Sequence, residues 1–108
     1  RHVLAPVLSR YHFVLIDCPP SLSLLTLNAL TAAHGVLIPM QCEYFALEGL
    51  SALVNTVKAV KQRLNPELEI EGLLRTMFDV RNNLGNEVSA QLMKHFGDKV
   101  YRTVVPRN

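Results

Sequence analysis

The sequence predicts an α/β domain with a doubly wound, mainly parallel sheet and helices on both faces. Three observations lead there. Short apolar runs of strand length alternate with helix-length stretches in the order α-β-α-β-α-β-α-β. The run Phe13, Val14, Leu15, Ile16 is apolar at every position, which suits a strand covered on both sides rather than one with a wet face. Between this run and the next one, at Val36, lie more than a dozen residues, the length a parallel crossover needs.

Each element has a local reason. Residues 1–10 read as the end of a helix with Val3, Leu4, Val7 and Leu8 on one face, although Pro6 argues against a long one. A strand over 13–17 follows. Pro19 and Pro20 cannot extend a ladder, so the chain must leave the sheet stiffly. Ser21 can cap a helix over about 22–33, whose leucines leave little polar face and imply cover on most sides. Gly35 is expected to end that helix as a left-handed cap. Val36, Leu37 and Ile38 form a second strand ended by Pro39, and residues 40–46 make the loop beyond it.

A long amphipathic helix is predicted over about 47–64, with Leu47, Leu50, Leu53 or Val54, Val57, Val60 and Leu64 as its apolar stripe. Lys58, Lys61 and Arg63 fall in its last turns, where cations suit the helix dipole. Asn65-Pro66 stops it. A third strand spans 68–77, with Gly72 as a weak point. A polar loop from 78 to 85 leads into a helix over about 86–96 with Val88, Leu92 and Phe96 on one face. A last strand runs over 99–105 and Pro106 closes it.

Bulk properties narrow the classes. With 108 residues, 49% hydrophobic and 19% charged, the chain is one globular domain, 1–108, rather than a disordered segment. A net charge of +2 is too small to argue for nucleic acid by itself. No apolar run is long enough to cross a bilayer, and no signal-peptide pattern stands at the start. Cys18 and Cys42 match no zinc spacing and read as reduced thiols. The four histidines form no ligand spacing either. Arg1 starts as if in mid-helix and Asn108 directly follows a strand, so the chain reads as a piece of a longer one.

Asp17 is the leading chemical candidate. It ends the apolar run, and the carboxyl ends of parallel strands are where open α/β sheets bind ligands. A carboxylate there, held by a rigid proline loop, commonly places Mg²⁺ beside nucleotide phosphates. The plainer alternative is an ordinary aspartate ending a buried strand.

A longer set of motifs resembles one family. Asp17-Cys-Pro-Pro-Ser-Leu, Leu25-Thr-Leu-Asn-Ala-Leu30, Pro39-Met-Gln-Cys-Glu-Tyr-Phe-Ala-Leu-Glu-Gly-Leu50, Thr76-Met-Phe-Asp-x-Arg81, His95-Phe-Gly-Asp-Lys-Val100 and Val105-Pro-Arg-Asn108 resemble the ParA/Soj partition ATPases, nearly end to end. The resemblance implies a P-loop NTPase-like fold with a deviant Walker A motif, ATP and Mg²⁺ as cofactors, and an ATP-dependent homodimer. It also implies non-specific DNA binding, a ParB-like centromere-binding partner, no membrane partner, and a cytoplasmic, nucleoid-associated location.

By the same resemblance Asp17 is the Walker B aspartate, catalytic and holding Mg²⁺ through water. Pro106 and Asn108 flank the adenine. Arg81 contacts DNA, with a solvated loop arginine as the alternative. Pro19, Pro20, Glu43 and Tyr44 belong to the dimer interface and switch region. The sequence also departs from the family. Ser23 stands where glycine is usual, and His34-Gly35 replaces a common Ala-Asp pair. No Gly-Lys-[Ser/Thr] phosphate loop occurs in the 108 residues, so the Walker A half of the domain is expected outside them. Alternatives on the same fold are an ATP-dependent amidoligase or synthetase, a MinD-like septum-site regulator, and a non-catalytic interaction domain.

Overall fold

The structure is a computed structural model that describes residues 3–19, 23–42 and 46–108. Its centre is a three-stranded parallel sheet. The elements in order are a 3-10 helix at Ala5–Arg10, α1 (Leu24–Ala32), β1 (Gly35–Gln41), α2 (Ala46–Arg63), β2 (Glu69–Phe78), α3 (Asn83–Phe96), a 3-10 turn at Gly97–Lys99, and β3 (Val100–Pro106). The strands lie side by side as β1-β2-β3, all parallel. The parallel α/β class expected from the sequence is therefore borne out.

Both crossovers advance in the same direction across the sheet, and right-handed connections then place α2 and α3 on one face. The core agrees with that placement. Ile38 and Met40 of β1, Leu73 of β2 and Val100 of β3 are buried together with Leu50 of α2 and Leu92 of α3. A second cluster joins Leu30 of α1 to Val57 and Val60 of α2, with Leu68 beneath them. The predicted stripe of α2 is thus its packed face, except that Leu64, just past the helix, is exposed. On the opposite face of the sheet, Leu37 and Tyr101 are exposed among the described residues.

The expected strand over 13–17 does not form. None of its residues joins the described sheet. Phe13 and Leu15 are 85% and 93% exposed, whereas Val14 and Ile16 are 41% and 44% exposed. That alternation is what extended chain produces, with one side lightly covered. A doubly buried strand needs hydrogen-bonding neighbours and cover on both faces, and the described residues supply neither. The helix expected in 1–10 is also corrected: it is a 3-10 helix with no buried residue.

Several boundaries differ for identifiable reasons. Ser23, not Ser21, caps α1, its hydroxyl accepting from the Thr26 N–H at 3.4 Å; Ser21 lies outside the described residues. The leucines at the start of α1 are not covered by the described residues, Leu24 and Leu25 being 73% and 77% exposed. Gly35 is not a left-handed cap. α1 ends at Ala33 in extended backbone, and Gly35 begins β1. Pro39 does not end β1 but sits within it; among the described residues β1 pairs on one side only, so no second ladder there asks for the missing N–H. The glycine with positive φ is Gly97, at +44°, where the chain turns out of α3. α3 starts earlier than expected, because Asn82 caps it by accepting from the Gly85 N–H at 3.1 Å.

Gly72 does mark a weak point. The β1–β2 register slips beside it, from Val36 opposite Ile70 to Leu37 opposite Gly72. Its missing side chain also leaves room for the Tyr101 ring from β3.

Candidate functional site at the carboxyl edge of the sheet

Three parallel strands bring their carboxyl ends to one edge, and four segments gather there. Cys42 follows β1, the turn 79–82 follows β2, the first turn of α3 lies beside Cys42, and Arg107 and Asn108 follow β3. The Arg107 N–H donates to the Phe78 carbonyl at 3.0 Å, extending the β2–β3 pairing past Pro106. Of the candidates, Arg81, Pro106 and Asn108 share this edge, and all three are exposed.

Arg81 is held by its own turn. The Asp79 Oδ1 accepts from the Arg81 backbone N–H at 3.0 Å and from Nε at 3.1 Å, while Nη2 donates to Oδ2 at 3.2 Å. The Arg81 side chain is 87% exposed and that of Asp79 only 25%. The hydrogen bonds from Arg81, its charge and that of Arg107 hold the Asp79 carboxyl below the usual carboxylate range. The Asp79 contact correspondingly strengthens the hold of Arg81 on its proton.

Arg75 is a residue that sequence pattern does not single out. Its one signal is that it is the lone basic residue in β2. Nη1 donates to the Ser89 hydroxyl of α3 at 3.1 Å. Nη2 donates to the carbonyls of Tyr101 and Arg102 at 2.9 and 3.2 Å. The register there runs from Leu73 opposite Val100 to Arg75 opposite Val104, so β3 carries extra residues at this point. Arg75 satisfies carbonyls that the slipped ladder leaves over. Its guanidinium also lies 5.7 Å from the centre of the Phe78 ring. Two residues on, Met77 takes a φ of +51°, a left-handed conformation uncommon for a non-glycine, at the second register shift.

Cys42, half-buried at the same edge, has its thiol pushed up by burial, with the Arg75 charge working against that shift. Asp17 stands apart. It is exposed in the unpaired stretch and no described strand holds it. Beside it Cys18 Sγ reaches the Ile16 carbonyl at 3.6 Å, and Pro19 is exposed. Pro20, Glu43 and Tyr44 lie outside the described residues. Among the described residues no three His, Cys, Asp or Glu side chains group to hold a metal. A single free-standing carboxylate suits Mg²⁺ only in the mode where water and phosphate oxygens fill most of the shell. No helix among the described residues is long and apolar enough to cross a membrane.

Two shallow depressions lie elsewhere. One is lined by Lys58, Lys61, Gln62 and Pro66, the other by Thr31, Leu64, Asn65, Pro66 and Glu67, both around the end of α2. Lys61 there pairs with Glu69. Neither depression includes a residue of the carboxyl edge.

Residues 1–70 match the family model described as an AAA domain. All 108 residues align with the sporulation initiation inhibitor protein Soj of Bacillus subtilis at 57% identity, covering 43% of that protein. They align with the chromosome partitioning protein ParA of Myxococcus xanthus at 55%, covering 38% of it. Among solved structures, cobyrinic acid a,c-diamide synthase from Mycobacterium smegmatis with bound ATP analog and magnesium superposes with a TM-score of 0.88 at 38% identity, over 99% of this chain and 44% of that one. A plasmid partition protein from Borrelia burgdorferi superposes with a TM-score of 0.74 at 26% identity, over 98% of this chain and 44% of that one. The chain thus spans about two-fifths of the length of the curated relatives it matches.

Proposed function

This chain belongs to the AAA domain family, as a sequence of ParA/Soj type, and from that premise we propose that it is the Walker B side of a DNA-partitioning ATPase. In this reading the full-length protein binds ATP and Mg²⁺, dimerises, binds duplex DNA without sequence preference, and segregates chromosome or plasmid DNA with a ParB-like partner. The carrying observation is identity of 55–57% across all 108 residues to proteins named for chromosome partitioning or as Soj.

The residues take these roles. Asp17 is the carboxylate that orients Mg²⁺ through its water. The ion, when bound, offsets charge developing on the phosphate oxygens. Pro106, the last residue of β3, and Asn108, just beyond it, border the adenine. Pro19, Pro20, Glu43 and Tyr44 serve the interface and switch region, and Arg81 contacts DNA phosphate. The 108 residues contain no phosphate-loop lysine. Positioning and charge stabilisation supply most of phosphoryl-transfer catalysis. The isolated chain is therefore expected to be inactive.

The test is phosphate release by the full-length protein and its Asp17→Ala variant across a Mg²⁺ titration, with folding checked by circular dichroism. A loss of about a hundredfold or more is expected, the scale of removing one charge-stabilising group. A folded variant with unchanged turnover removes Asp17 from the mechanism. A second reading, an ATP-dependent amide synthase, is favoured by the superposition on the diamide synthase. It requires turnover that depends on a carboxylate substrate and an amide donor. The partition reading requires stimulation by duplex DNA and a centromere-binding protein instead.

A further inference from the structure

Asp79 and Arg81 form an ion pair whose geometry occupies the recognition edge of the arginine. Nε and Nη2 both point at the one carboxylate, at 3.1 and 3.2 Å. A phosphodiester presents the same pair of acceptor oxygens to the same fork. The Arg81 side chain is nevertheless 87% exposed, so an incoming anion can reach it. Arg107 is a second cation acting on Asp79, and its backbone N–H anchors it to Phe78, immediately before Asp79. Asp79 pairs with Arg81 and lies within the field of Arg107, so the three groups carry one net positive charge.

We infer that Asp79 is an exchangeable counter-ion, releasing the Arg81 fork to a DNA phosphate, and that Arg107 is a second phosphate contact on the same surface. The inference rests on the DNA-binding reading of Arg81 given above. Asp79 does two things to binding. It must be displaced from Arg81, and its charge opposes the arriving phosphate. It therefore sets the affinity below what the two arginines alone would reach, which keeps the contact sensitive to salt and reversible.

Asp79→Asn isolates the charge. Asparagine keeps an Oδ1 that can accept the Arg81 N–H and Nε, so the turn survives, while Nη2 loses its acceptor and the charge that holds the fork is removed. The experiment measures duplex DNA binding by the full-length protein with ATP over a salt series, for wild type, Asp79→Asn, Arg107→Ala, Arg81→Ala and the Asp79→Asn/Arg81→Ala double variant. Dimerisation and thermal unfolding are followed separately. Asp79→Asn should bind roughly two- to fivefold more tightly per subunit, the range of a surface ion pair. Most of that gain should vanish in the double variant. Arg107→Ala should lower the salt slope by about one unit for each phosphate it leaves unneutralised. If Asp79→Asn dimerises normally yet binds no more tightly than wild type, the counter-ion role is overturned. An unchanged slope in Arg107→Ala overturns the second phosphate contact. If wild type itself ignores duplex DNA at low salt, the DNA reading falls and the inference with it.

Discussion

The side-chain amide of Asn65 donates to the Ala33 carbonyl at 2.7 Å, across the gap between the ends of two helices. The same nitrogen reaches the Leu30 carbonyl at 3.0 Å. Asn65 is 3% exposed, so one side chain beyond α2 closes the last turn of α1. The helix-stopping Asn65-Pro66 pair is thus also a tertiary joint.

Asn65→Ala is expected to destabilise the full-length protein by about 1–3 kcal/mol, because it strands buried carbonyl oxygens. Asn65→Asp should cost more, since it loses the donor and buries a charge against two carbonyls. Urea unfolding measures both. Midpoints equal to wild type would show that the joint is not holding the helices.

Gly72→Ala places a methyl 2.5 Å from the Tyr101 ring and 3.0 Å from the Lys99 carbonyl. The ring can swing outward, but the backbone carbonyl yields less. A loss of about 1–3 kcal/mol is expected, in line with other overpacked sites. Adding Tyr101→Ala should recover only part of it. Thermal denaturation of the single and double variants decides the matter, and full recovery would put the whole clash on the ring.

The Asp79–Arg81 pair has a defined pH range. Asp79 has its carboxyl lowered by Arg81 first and Arg107 last. A depressed carboxyl contributes stability above its unfolded value and loses it as pH falls through the folded one. The turn should therefore be unchanged from neutral pH down to about 4, the ordinary carboxylate value, and loosen only below that. An NMR titration of the Asp79 side-chain carbon checks this. A midpoint at or above the ordinary value would mean that the pair does not persist in solution.

The two cysteines should differ in reactivity. Cys18 is exposed, whereas Cys42 is half-buried with its thiol pushed up. The thiolate is the nucleophile, so iodoacetamide at neutral pH should label Cys18 well before Cys42. Time-resolved peptide mass spectrometry reads the order; equal rates would indicate that the edge near Arg75 opens freely.

The helices show how much local pattern can carry. The α2 stripe through Leu50, Val57 and Val60 is the packed face, because a 3.6-residue period leaves one face to bury. Arg81, Pro106 and Asn108 can be placed on one edge from strand order alone, since parallel strands end together. Caps are less legible. Ser21 and Ser23 both offer a hydroxyl before leucines in sequence, and it is the Ser23 hydroxyl that accepts the Thr26 N–H. Asp79 and Arg75 do not stand out as partners, because their bonds depend on a turn and a slipped register that no periodicity records.

What the sequence determined by itself was the parallel α/β class, the amphipathic faces, and a family likeness running nearly the whole chain. These depend on residues near one another along the chain, or on motifs read directly. Tertiary structure alone decided whether an apolar run becomes a strand. The residues of 36–38 found a neighbour in β2 and joined β1, whereas 13–16, no less apolar, found none among the described residues. A strand's hydrogen bonds lie outside its own segment, so its sequence states a capacity to pair and only the neighbouring chain completes it.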